Sequence, residues 1–100
     1  MCNEFLASAE AQAALKASSK LEDVTFSDFA AVFFAGGHGT MWDFPGSVSP
    51  SVNAAIEGVY GAGGVVASVC HGPACLVDVK VGDEYLIKGK QFTCFTNSEE

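Results

Sequence analysis

Two short, uninterrupted apolar runs organise this chain. Residues 30–35 read AAVFFA, and residues 65–69 read VVASV. Neither alternates with polar positions, which is the pattern of strands covered on both faces in a parallel sheet. Between them, Val52, Ala55, Ile56 and Val59 recur at helical spacing, so residues 51–61 are expected to form a helix with those four side chains inward. Ser49 and Pro50 supply an N-cap and a first-turn proline, and Gly61, Gly63 and Gly64 stop the helix. A strand, a crossover helix and a second strand imply parallel pairing.

Upstream, residues 3–19 are alanine-rich, with Phe5, Leu6, Ala9, Ala13 and Lys16 on one helical stripe. They predict one helix with a weakly apolar face. Residues 21–28 form a polar link. Downstream, residues 72–79 predict a short helix. Tyr85 to Ile87 and Gln91 to Thr93 flank Lys88-Gly89-Lys90, a hairpin signal. Residues 95–100 make a polar tail. The class is α/β.

Both apolar runs end in glycine-rich turns, Gly36-Gly37-His38-Gly39 and Cys70-His71-Gly72. In open parallel sheets, ligands sit beyond the carboxyl ends of the strands, so the two turns should face one crevice. The second turn carries the chemistry. A strand ends on Cys70, and a small-residue helix starts just after it. That is how a sequence builds a strand-to-helix elbow with a nucleophile at its apex. Aligned N–H dipoles at the helix start favour a thiolate there.

Each candidate also has a plainer role. Cys70 could be inert core, as many cysteines are. His71 could bond a carbonyl at a helix start. His38 could shape its loop or wall a pocket. Met41, Trp42 and Phe44 could line a pocket or serve as core and lid packing. Neither glycine turn is followed by the GK[ST] of a phosphate loop.

Composition narrows the possibilities. Twelve acids face five basic residues, all lysine, for a net charge of −7 over 100 residues. Such a surface is unsuited to nucleic acid or to anionic membranes. No apolar run reaches the ~18–20 residues of a membrane span. The first residues carry acids and no basic n-region, so no signal peptide is expected. Cys2, Cys70, Cys75 and Cys94 have irregular spacings, and two histidines give no zinc pattern. A reduced, cytoplasmic protein is expected. Cys75 is expected to pack in the core, although its closeness to Cys70 would also allow paired oxidation.

Taken together, AGGHGTMWDFP, GGVVASVCHGPA and FTNSEE resemble the PfpI-type superfamily, with the class I glutamine amidotransferase-like fold. The likeness is closest to its branch of heat-shock chaperones and glutathione-independent glyoxalases (glyoxalase III, or D-lactate dehydratase). It implies a flavodoxin-like parallel-sheet sandwich. The implied reaction converts methylglyoxal, a 2-oxoaldehyde, to D-lactate, a lyase reaction without glutathione, metal or other cofactor. By the same resemblance Cys70 is the nucleophile, His71 the catalytic histidine and Glu100 the acid of the triad, with Glu99 the adjacent alternative. The backbone N–H groups of Gly37 and His71 form the oxyanion hole. Gly36, His38 and Trp42 are candidates for the substrate pocket.

Family members run to more than twice this length. Residues 1–100 are therefore expected to be a single partial domain. The resemblance implies that the family's first strand–helix region, a second glutamate near the thiol, and the last strands lie outside it. A two-strand parallel core covered on one side would then expose strand edges and apolar faces and favour self-association. A homodimer and unfolded-protein clients are the partners considered. The alternative function is a catalytically incomplete fragment acting as a holdase or interaction protein. A redox sensor built on Cys70 and a cysteine peptidase rank lower.

Overall fold

The computed structural model describes residues 2–100. Strands β1 (Ala31–Phe34) and β2 (Val65–Ser68) lie side by side in parallel, in a register that runs from Ala31 opposite Val65 to Phe34 opposite Ser68. After a single turn, α3 (Thr40–Asp43), helix α4 (Pro50–Gly61) makes the crossover and packs on both strands. Its inward side chains are Val52, Ala55, Ile56 and Val59, as the periodicity predicts. They join Phe34, Cys75, Val79 and Leu86 in the core. The helix stops where the N–H groups of Gly63 and Gly64 bond the carbonyls of Tyr60 and Val59. That pairing closes a helix end when a glycine takes the left-handed position, and Gly63 does so with φ 83°.

Several expected elements take a different form. The N-terminal helix is two: α1 (Cys2–Ala7) and α2 (Ala9–Lys16). Ser8 divides them, because its side chain accepts a hydrogen bond from the Ala11 N–H at 3.2 Å and caps α2. Neither helix buries a residue, and the apolar stripe through Phe5 and Leu6 stays exposed. Ser49 starts α4 by position only. Its hydroxyl makes no cap bond and lies beside the Ser51 hydroxyl.

The strands are not covered on both faces. Phe34 is buried against α4, while Phe33 on the opposite face is 63% exposed and Val65 62%. One helix covers one face of a two-stranded sheet, and nothing among the described residues covers the other.

The helix expected over residues 72–79 is a 3₁₀ turn, Gly72–Leu76. Bonds spanning three residues continue beyond it, from Val77 to Ala74 and from Val79 to Leu76. The β-branched pair Val77 and Val79 crowds an α-helical turn there.

The hairpin also falls elsewhere. β3 (Lys80–Val81) pairs antiparallel with β4 (Glu84–Tyr85) across Gly82-Asp83. A two-residue Gly-Asp loop is itself a hairpin signal, and Gly82 takes the positive φ, 64°, that its first position needs. The Leu86 N–H bonds Val79 O at 2.9 Å, which pulls Leu86 into the core. Around Gly89 the backbone closes local turns, and Gln91 to Thr93 pair with no strand among the described residues. No helix is long and apolar enough to cross a membrane.

Candidate active site

Both glycine turns leave the same end of the parallel pair. The carboxyl ends of β1 and β2 are level, so residues 36–39 come to lie against residues 70–72. The contact leaves no room for side chains. A Cβ on Gly36 would stand 2.6 Å from Val69 O and 2.7 Å from the Cys70 Cβ, and one on Gly72 would stand 2.6 Å from Phe34 O. The N–H of Gly72 closes the elbow on Val69 O at 2.8 Å.

At the apex Cys70 has φ 58°, the only non-glycine residue at positive φ among those described. An L-residue in this region carries ~1–2 kcal/mol of strain, and such strain concentrates at functional positions. The elbow thus holds an exposed thiol in a conformation that only a packed surround maintains.

The thiol faces an imidazole. Cys70 Sγ lies 3.3 Å from His71 Nδ1. On the far edge of the ring, His71 Nε2 lies 2.5 Å from Glu100 Oε1. With Nε2–H donating to the carboxylate, the Nδ1 lone pair is turned to the thiol. Two further rings pack against the imidazole. Phe95 stacks on it with centroids 4.5 Å apart, and His38 lies 4.6 Å away on a tilted plane. The His71 side chain is accordingly only 11% exposed. The Phe95 N–H bonds Cys70 O at 3.1 Å, which ties residues 95–100 to the elbow.

The two neighbouring glutamates have separate partners. Glu99 accepts hydrogen bonds from the Thr96 N–H at 2.7 Å and the Thr96 hydroxyl at 2.8 Å. Those bonds hold its carboxyl below the usual glutamate range. The turn so formed, with the Glu100 N–H on Thr96 O, delivers Glu100 to His71. The hydrogen bond from His71 is the main cause that lowers the Glu100 carboxyl below its ordinary value, and the charge of His38 adds to it.

His38 Nε2 lies 3.1 Å from the same oxygen of Glu100. His38, His71 and Glu100 therefore gather three ligand-type atoms, all within 4.8 Å of one another.

The N–H groups of Gly37 and His71 find no acceptor among the described residues. A cavity of about 250 Å³ opens at the thiol, lined by Met41, Cys70, His71, Pro73, Cys94 and Phe95 among others. Of the expected pocket residues, Gly36 packs under the elbow and His38 flanks the imidazole. Trp42 is 67% exposed and meets the His38 ring edge-on. None of the three lines this cavity. Phe44 packs edge-on against Phe34.

Phe95 escaped the sequence reading although it stands in the tail that carries the acid. An aromatic residue fixed at the start of such a tail was the available signal. Cys75 is fully buried, and burial pushes its thiol up to about 11. It is a core residue and remains protonated at neutral pH.

The family model described as DJ-1/PfpI matches residues 6–100. The chain belongs to the DJ-1/PfpI family. Among its relatives, a probable glutathione-independent glyoxalase of Schizosaccharomyces pombe is 41% identical over 88 residues, covering 87% of this chain and 39% of the relative. The crystal structure of glyoxalase III from Candida albicans superposes with a TM-score of 0.82 at 36% identity, covering 96% of this chain and 40% of that one. The 24 kDa Rapid Encystment Protein of Francisella tularensis superposes with a TM-score of 0.85 at 38% identity, over 97% of this chain and 43% of that one. The DJ-1/PfpI chain described here thus spans about two-fifths of the length of these relatives.

Proposed function

We propose that this chain carries the reacting centre of a glutathione-independent glyoxalase, with methylglyoxal as substrate and D-lactate as product. The observation that carries the reading is the unbroken contact from Cys70 Sγ through the His71 ring to Glu100 at a strained elbow. Relatives named as glutathione-independent glyoxalases support it.

His71 Nδ1 takes the proton of the Cys70 thiol, and the thiolate adds to the aldehyde carbon of methylglyoxal. The resulting oxyanion meets the N–H donors of Gly37 and His71, whose loss would cost ~3–4 kcal/mol of barrier per donor. Protonation gives a hemithioacetal. His71 then removes the proton from the former aldehyde carbon and returns it to the neighbouring carbon. The product is a lactoyl thioester, and water cleaves it to lactate and free thiol. The net reaction adds one water, and oxidation at one carbon balances reduction at the next. Glu100 keeps the imidazole in the working tautomer throughout.

The test is D-lactate formation from methylglyoxal by the purified chain without glutathione, beside its Cys70→Ala variant. Formation that vanishes in the variant is expected. Equal formation by both would refute the role of Cys70.

A second reading rests on a separate observation. Phe33, Trp42, Val65 and Phe92 are each more than half exposed. Such a surface suits a holdase for unfolded clients, or self-association into a homodimer. Suppression of client aggregation that survives Cys70→Ala, with no D-lactate from either protein, would favour it.

A further inference from the structure

We infer that His38, His71 and Glu100 form a binding site for a divalent transition-metal ion of the zinc type, and that occupancy silences the imidazole. Two imidazole nitrogens and one carboxylate oxygen are a donor set that zinc takes readily, with a fourth position left for water. The atoms concerned are His38 Nε2, His71 Nε2 and Glu100 Oε1, all within 4.8 Å of one another.

The spacing is close to what an ion requires. Zinc holds tetrahedral ligands at ~2.0–2.1 Å, which sets them ~3.3 Å from each other. His38 Nε2 and Glu100 Oε1 are already 3.1 Å apart. His71 Nε2 and Glu100 Oε1 are 2.5 Å apart, so the carboxylate must withdraw by less than about 1 Å. The Glu100 side chain is 40% exposed and His38 65%, so both can adjust and the ion has open access. Phe95, stacked on its ring, holds the third ligand, His71, in place.

Binding has a defined consequence for protons. An ion on His71 Nε2 replaces the proton held there, while Glu100 stays an ionised carboxylate ligand. The neutral ring then carries its proton on Nδ1, the nitrogen that faces Cys70 Sγ. That nitrogen can no longer accept the thiol proton. Cys70 lies on the opposite edge of the ring from the ion and is not a ligand. The site coincides with the proposed reaction centre, but binding of the ion is measured without turnover. Failure of the glyoxalase reading would leave it untouched.

The experiment is competition for Zn²⁺ between the full chain and a chromophoric chelator near neutral pH. Parent, His38→Ala, Glu100→Gln, and a Cys2→Ser/Cys94→Ser double variant are compared, with circular dichroism confirming the fold of each. One equivalent of zinc is expected. The affinity should fall at least about tenfold in His38→Ala and in Glu100→Gln, since even outer-shell partners of ligands are worth that much. It should be unchanged in the double cysteine variant. No binding by the parent, undiminished affinity in folded His38→Ala, or loss of affinity in the double cysteine variant would overturn the inference. Co²⁺ gives an independent reading. A bound cobalt without thiolate-to-metal charge transfer agrees with the site, and a charge-transfer band from sulfur contradicts it.

Discussion

Gly36→Ala should damage this protein in a way that an identical change at Gly61 does not. The added methyl at position 36 would stand 2.6 Å from Val69 O and 2.7 Å from the Cys70 Cβ. Carbon atoms in ordinary contact lie ~3.5–4.0 Å apart, so the overlap with Cβ approaches 1 Å. Neither neighbour is the free end of a flexible side chain. One is backbone, and the other is anchored to the elbow, so relief requires the loop and the elbow to separate. Overpacking of this kind costs ~1–3 kcal/mol. At about 2 kcal/mol, a domain of this size loses roughly 8–16 °C in Tm. The same displacement moves Cys70 Sγ off His71 Nδ1, so alkylation of Cys70 should slow. Gly61 is the control. It closes α4, and a Cβ there meets nothing within 4 Å. Alanine is the better helix former by up to ~1 kcal/mol, so Gly61→Ala should hold or raise the Tm. Thermal denaturation followed by circular dichroism reads the first effect. Iodoacetamide labelling in a background with Cys2 and Cys94 replaced by serine reads the second. Equal Tm values for the two glycine variants, with equal labelling rates, would show that the loop does not brace the elbow.

Two further outcomes follow from the same geometry. Because Cys70 sits at φ 58°, Cys70→Gly should be no less stable than Cys70→Ala, and up to ~1 kcal/mol more stable; a clear advantage for alanine in urea unfolding would mean that the apex is unstrained. Because the hydrogen bond from His71 holds the Glu100 carboxyl low, its folded value lies below its unfolded one. The stability this contact contributes is therefore present in full above the ordinary glutamate range and is lost as pH falls through the lowered value. A carboxyl-carbon NMR titration should place the Glu100 midpoint below ~4.3, and His71→Ala should move it upward; a parent midpoint at or above the ordinary value would refute the contact.

The legible parts of the fold were those set by local pattern. Val52, Ala55, Ile56 and Val59 announce the buried face of α4 because a 3.6-residue period has no other common use. The two apolar runs announce a parallel pair because a helix must fit between them. The placement of Cys70 and His71 at a strand-to-turn elbow was legible from the junction of strand, glycine and proline. Parts decided by competition between neighbouring signals were not. Ser8 splits the first helix because a hydroxyl that can cap outweighs the gain from one weakly apolar stripe. Gly82-Asp83 takes the hairpin from Lys88-Gly89-Lys90 because only the earlier turn lets Leu86 reach the core beside Val79. Which of Glu99 and Glu100 meets His71 depends on which carboxylate Thr96 engages, and spacing carries no record of that. The coverage of the sheet could not be read from the apolar runs either. Their composition fits strands with two buried faces, while only the α4 face is covered among the described residues.

Phe34 shows why core and site are a single mechanical object. Its side chain is buried against α4 and meets Phe44 edge-on, while its carbonyl accepts the Val69 N–H and abuts Gly72. One residue thus fixes the end of β1 from the core side and the position of the elbow from the other. The strained φ at Cys70 needs that bracing, since an isolated turn would relax to a lower-energy conformation at no cost in contacts. The remaining partners are less firmly held. Glu100 is two-fifths exposed, and His38 competes for the same carboxylate oxygen. The geometry therefore has a rigid half, the elbow with its two glycine contacts, and an adjustable half, the carboxylate and the second imidazole. A thiol nucleophile requires the rigid half, because the reacting sulfur must stay within reach of Nδ1. The adjustable half is what would let the same carboxylate orient His71 or join His38 and His71 around the proposed ion.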